Sequence, residues 1–157
     1  MNSRALIAAA GLAAVFAAPL AKAQVDVHHD EERPHHASLL VAGTTIPSED
    51  ETAFTIGGDY EYRLNTLLGV GAVAEHAFGE IDATTLLAVA DIHVWRGLAV
   101  QVGPGVEIID GDIHAAGRIG ALYELEIGEG VTLAPQLHYD ISEENGVVFG
   151  VAFGRAF

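Results

Sequence analysis

The chain has 157 residues, room for one domain, and carries 22 Asp and Glu against seven Lys and Arg for a formal net charge of −15. Charge of that sign repels phosphate backbones and excludes nucleic acid as a natural partner. With no cysteine there is neither a disulfide framework nor a lipoprotein anchor, and 50% hydrophobic residues sit oddly beside so much acid for a soluble protein.

Residues 1–23 read as a cleaved secretory signal. Arg4 supplies the positive start, residues 5–18 form an apolar run, and Ala21-Lys22-Ala23 is an A-x-A cleavage site. The run is too short to span a membrane as a helix. Residues 24–36 are polar, contain Pro34, and are expected to form a flexible leader. Four histidines, His28, His29, His35 and His36, lie there among Asp26, Asp30, Glu31 and Glu32. Such a tract can hold zinc or copper weakly through imidazole and carboxylate, but each metal bond has to overcome chain entropy. A solvated tail is the plainer reading, and no other cofactor is expected.

Eight segments follow, near 36–44, 53–64, 67–78, 83–94, 98–109, 112–127, 131–141 and 147–157. Each has the length a tilted strand needs to cross a bilayer. In the fifth, Leu98, Val100, Val102, Pro104, Val106 and Ile108 share one face, and Ala99, Gln101, Gly103, Gly105, Glu107 and Ile109 the other. Pro104 removes a ladder hydrogen bond, so a bulge is expected there. In the sixth, Ile113, Ala115, Ile119, Ala121, Tyr123, Leu125 and Ile127 oppose His114, Arg118, Gly120, Glu124 and Glu126. Both assignments put aliphatic side chains outward and charge inward.

The connections read as hairpin turns. Asp110-Gly111 is a two-residue turn signal, and Trp95-Arg96-Gly97 suits a three-residue loop that frees Trp95 from facing inward. Residues 64–67 and 128–130 give further tight turns on the same side as Gly97. On the opposite side the stretches 44–52, 79–82 and 142–146 are longer and acidic.

The eighth segment, GVVFGVAFGRAF, alternates Val147, Phe149, Val151, Phe153 and Phe157 with small residues. A soluble sheet would show charge opposite such a face. Here the large side chains suit lipid. A strand of this kind ending on Phe157 resembles the C-terminal assembly signal of bacterial outer-membrane β-barrels. From residue 37 to 157 the chain resembles small eight-stranded barrels of the OmpA and OmpX kind within the porin-like proteins. The resemblance implies an all-β, eight-stranded antiparallel up-and-down transmembrane barrel in the outer membrane of a Gram-negative bacterium. It implies outer-membrane lipid and the barrel-assembly machinery as partners, and a monomer is expected.

Counting from the turns pairs inward residues across strands: Glu107 falls opposite His114 and Arg118 opposite Asp140, with Glu75 and His138 at similar height. These six are the candidate site. They read either as ion pairs filling a narrow lumen, where every buried charge needs a partner, or as acid–base groups. Asp59, Glu61, Arg63, Asp91, His93, Glu124 and Glu126 also point inward, lower down. An eight-stranded barrel has room for little but side chains, so no large pore is expected. The expected function is non-enzymatic, structural or binding. Two alternatives stay open: a barrel enzyme modifying outer-membrane lipid, and a soluble periplasmic carrier of the lipocalin kind.

Overall fold

Alternation of large apolar and polar or small residues gives every strand one face for the interior and one for the exterior, and the computed structural model closes these strands into a ring. It describes residues 33–157. The signal segment and His28 and His29 lie outside the described residues. The strands are β1 (His35–Ile46), β2 (Glu51–Arg63), β3 (Leu68–Ala77), β4 (Ala83–Trp95), β5 (Leu98–Ile109), β6 (Asp112–Tyr123), β7 (Leu125–Gly128), β8 (Val131–Ile141) and β9 (Gly146–Ala156). All neighbours are antiparallel, and β9 returns to pair with β1 from His36↔Ala156 to Thr45↔Val147. Pairing of β8 with both β6 and β7 completes the circle. The chain is therefore a closed, eight-stranded antiparallel up-and-down barrel. A closed ring leaves no strand edge unpaired, which is what a sheet in lipid requires.

The sixth segment differs from expectation in being two strands. The break falls at Glu124, whose amide donates to the Gly97 carbonyl at 2.8 Å while its side chain is buried in the lumen. Glu126 pairs with Thr132 just before a register shift between Glu126 and Gly128, and it is exposed where the strand reaches the lower end of the barrel. β1 also starts earlier than the expected leader boundary, taking in His35 and His36.

At Pro104 there is no bulge. The β4–β5 ladder lapses opposite it, between Leu87↔Gly105 and Ala90↔Val102, and resumes in the same register. The bulge falls instead between His93 and Trp95. It turns Trp95 outward, 59% exposed, while leaving it the last residue of β4. The turn is then Arg96-Gly97, both with positive φ (35° and 84°), like Asp110-Gly111 (53° and 88°). These are the backbone signs a tight hairpin needs.

The end of the barrel holding His35 and Phe157 is here called the lower end. Connections there are residues 64–67, 96–97 and 129–130; those at the upper end are 47–50, 78–82, 110–111 and 142–145. The first upper loop is shorter than expected because β1 and β2 extend to Ile46 and Glu51, joined by a Thr45–Thr52 hydroxyl pair at 2.9 Å.

Outside, Leu39, Val41, Leu86, Ile113, Ile119 and Phe153 are each more than 40% exposed. Tyr60, Tyr62, Trp95 and Phe157 ring the lower end, and Phe54, Phe78 and Tyr139 the upper. Inside, the filling is layered. Ile46, Ala53, Ala77, Ile81 and Ala83 make an apolar cap under the upper loops. Leu40, Ala42 and Val148, and Val73, Leu87 and Val89, pack lower in the lumen. Charge is sorted between these apolar patches.

Candidate functional site

Two polar clusters occupy the interior. In the upper one, Arg118 on β6 faces Asp140 on β8 by direct register. Its Nε and Nη2 donate to Asp140 Oδ1 and Oδ2 at 2.7 and 2.6 Å, and its Nη1 and Nη2 to Glu75 Oε1 and Oε2 at 2.6 and 2.7 Å. Glu75 belongs to β3 and reaches Arg118 across the lumen. The guanidinium is thus gripped by two carboxylate forks, the strongest arrangement open to an Arg–carboxylate contact. Side-chain exposures of 1% for Arg118 and 4% for Glu75 leave little water to compete.

The structure thus brings together Arg118, Asp140 and Glu75 from the six candidates. The other three go elsewhere. Glu107 and His114 are cross-strand neighbours, yet His114 Nδ1 lies 2.6 Å from Glu143 Oε2, and the Ser142 hydroxyl donates to Glu107 Oε2 at 2.6 Å. Both sit near the upper rim, where the 142–145 loop offers partners that strand register does not foresee. His138 is 1% exposed, and neither ring nitrogen has a hydrogen-bond partner among the described residues. It packs over Gly120, where any side chain would collide with its ring. Arg118 takes the carboxylate expected beside it.

The lower cluster is larger. Arg63 Nη2 lies 3.0 Å from Glu61 Oε2 and 3.2 Å from Glu124 Oε2, and His93 Nε2 lies 2.7 Å from Glu61 Oε1. Gln101 donates its side-chain amide to Asp59 and Asp91, each at 3.0 Å. His36 Nε2 is 2.9 Å from Thr132 Oγ1. A cavity of about 20 Å³ lies among His36, Asp59, Glu61, Asp91, His93 and Glu124, space for about one water molecule. The charged members point inward by strand alternation. Their convergence across the lumen was not foreseen, although Asp59-x-Glu61-x-Arg63 and Asp91-x-His93 put charge on one face at period two.

The two leader histidines among the described residues do not share a site. Adjacent residues on a strand point to opposite faces. His36 goes inside, whereas His35 meets Tyr60 Oη at 2.7 Å and stacks on Phe157 with ring centroids 5.6 Å apart. Phe157 and His35 also exchange backbone hydrogen bonds of 2.8 and 3.2 Å, so the last residue helps close the seam between β9 and β1.

This architecture recurs in solved structures of small outer-membrane barrels. A de novo designed transmembrane β-barrel superposes with TM-score 0.54 at 19% identity, covering 78% of this chain and 96% of the design. Ail, the attachment invasion locus protein of Yersinia pestis, matches with TM-score 0.54 at 14% identity and the same coverage. Its complex with the heparin analogue sucrose octasulfate gives 0.53 at 10% identity. At these identities the likeness is one of fold: the chain has the fold of the small eight-stranded outer-membrane β-barrels. No protein-family model matches the chain, and no curated protein matches it by sequence.

Proposed function

We propose that this chain is a monomeric, non-enzymatic protein of the bacterial outer membrane with a structural or binding role, its lumen closed by side chains and conducting no large solute. One observation carries the reading: large apolar side chains cover the outside of the ring while Arg118, Glu75, Glu61 and Glu124 are buried within it. A soluble lipocalin-like carrier needs the reverse, an apolar lumen and a polar exterior. For a lipid-modifying enzyme the support is thinner, because the Ser142 hydroxyl is committed to Glu107 and to the Glu144 carbonyl. Polyanion binding, as in the Ail complex, does not carry over. The net charge is −15, and Glu49, Asp50, Glu80, Asp82, Asp110 and Glu143 are exposed at the upper end. A cationic partner fits that rim better.

Cell fractionation with gel mobility tests the proposal. The protein is expected in the outer-membrane fraction, migrating faster unheated than boiled, and silent in planar bilayers. Purification as a detergent-free periplasmic monomer overturns it, and reproducible single-channel steps overturn the closed lumen. The seam at Phe157 supports recognition of the last strand by the barrel-assembly machinery. Deleting Phe157 should lower the inserted amount far more than Phe54→Ala, although both residues are exposed aromatics. Equal membrane levels would remove that role.

A further inference from the structure

The lower cluster gathers a set of potential metal donors from separate strands. His36, Glu61 and Glu124 come from β1, β2 and the break between β6 and β7, yet one potential ligand atom from each lies within 4.8 Å of the others. All three residues are buried. His93 on β4 joins them through Glu61, at 2.7 Å. Imidazole nitrogen with carboxylate oxygen is a donor combination that zinc favours.

Two further observations point the same way. The first concerns charge. Glu61 and Asp59 on β2 and Asp91 on β4 are three carboxylates lining one part of the lumen; Arg63 is shared between Glu61 and Glu124, and among the described residues the side-chain hydrogen bonds to Asp59 and Asp91 come from the neutral amide of Gln101. Buried carboxylates in such excess call for positive charge beyond one guanidinium. The second concerns space. A β-carbon at Gly154 would meet His36 and Thr132, and one at Gly69 would meet Glu61. These two glycines make room for donor side chains, and the cavity of about 20 Å³ lies against the same donors.

We propose that the lower half of the lumen binds a divalent transition metal, zinc by its chemistry, through His36, Glu61 and Glu124 with His93 as a fourth donor. Zinc bonds of about 2.0–2.2 Å set tetrahedral donors about 3.5 Å apart, so binding would draw the donor side chains closer together than they stand here. Arg63 keeps its second carboxylate oxygens. The metal ties β1, β2, β4 and the sixth barrel strand together across the lumen, and chelation loosens what binding tightens.

The experiment uses the full mature barrel in detergent, stripped with chelator. It carries His28→Ala and His29→Ala so that these two tract histidines supply no ligand. Added zinc should bind with one-to-one stoichiometry by calorimetry and raise the temperature at which the fast-migrating folded band is lost. Cobalt(II) in its place should give visible d–d bands stronger than those of the hydrated ion. His36→Ala and the near-isosteric Glu124→Gln should each weaken zinc binding about tenfold or more, with the folded band confirming that the barrel still forms. Zinc without effect on this protein, or cobalt bands no stronger than those in water, overturns the proposal. So does zinc binding that persists in both lumen variants. The cobalt measurement needs no lumen variant and decides the question even if those fail to fold. A negative result would leave the barrel reading intact, since the membrane assignment rests on the outer surface.

Discussion

The upper and lower clusters are built from the same residue types on the same barrel, yet they solve opposite problems. Above, one guanidinium is held by two carboxylates with both forks made, and water is excluded. Below, four carboxylates, Glu61, Glu124, Asp59 and Asp91, accompany the single guanidinium of Arg63, distances lengthen to 3.0 and 3.2 Å, and a small cavity remains. A fully partnered buried cluster is rigid and chemically spent, whereas an under-neutralised one keeps affinity for a further cation. The upper cluster therefore reads as a bolt across the ring, and the lower one as a site. If so, the two should respond differently to the loss of their arginines.

The largest effect is expected at Arg118. Arg118→Ala leaves Glu75 and Asp140 buried and facing each other, a loss of about 3–5 kcal/mol for a deeply buried pair. Adding Asp140→Asn should recover part of it, and adding Glu75→Gln as well should recover most. The carboxylates are costly only while charged and alone. Equilibrium unfolding in urea of the detergent-solubilised protein measures each step as a mutant cycle. Additive losses with no recovery in the triple variant would mean that Arg118 contributes by packing alone, and the bolt would be lost from the account.

Next in size is Arg63. Its removal exposes Glu61 and Glu124 to each other, but His93 already sits 2.7 Å from Glu61 and the cavity can admit water. Arg63→Met should cost about 1–3 kcal/mol, the range for a buried group that loses one partner and keeps another. A loss equal to that of Arg118→Ala would show the lower cluster to be as tightly closed as the upper.

The contrast between the clusters also marks how far the sequence could be read. Strand positions were legible because period two is a property of each strand alone, and Arg118 opposite Asp140 because a short loop at 128–130 let register be counted between neighbours. Glu75 as the second partner of Arg118 was not legible. It lies across the lumen on β3, and contacts of that kind depend on the tilt and stagger of the closed ring, which no single hairpin encodes. The gathering of His36, Glu61 and Glu124 was hidden for the same reason, and His36 was further masked by counting with a polar leader. At the rim the failure was different. Glu107 and His114 were paired correctly by register, but loop residues Glu143 and Ser142 outcompeted them as partners.

That rim pair provides the smallest and most discriminating test. His114 and Glu143 lie 2.6 Å apart, but their side chains are 29% and 67% exposed, so water and counter-ions share the contact. An exposed ion pair contributes about 0–1 kcal/mol, and over a Debye length of about 8 Å at physiological salt most of its long-range part is screened. His114→Ala should therefore shift the urea midpoint little at low salt and not at all at high salt. Arg118→Ala should keep its full effect at both, because the side chains of Arg118 and Glu75 are only 1% and 4% exposed. Unfolding curves of the two variants at two salt concentrations make the comparison directly. A salt-independent loss at His114 as large as that at Arg118 would place the rim inside the protected interior and erase the boundary between bolt and surface. A salt-sensitive loss at Arg118 would place the bolt in contact with solvent, and the closed upper lumen would have to be given up.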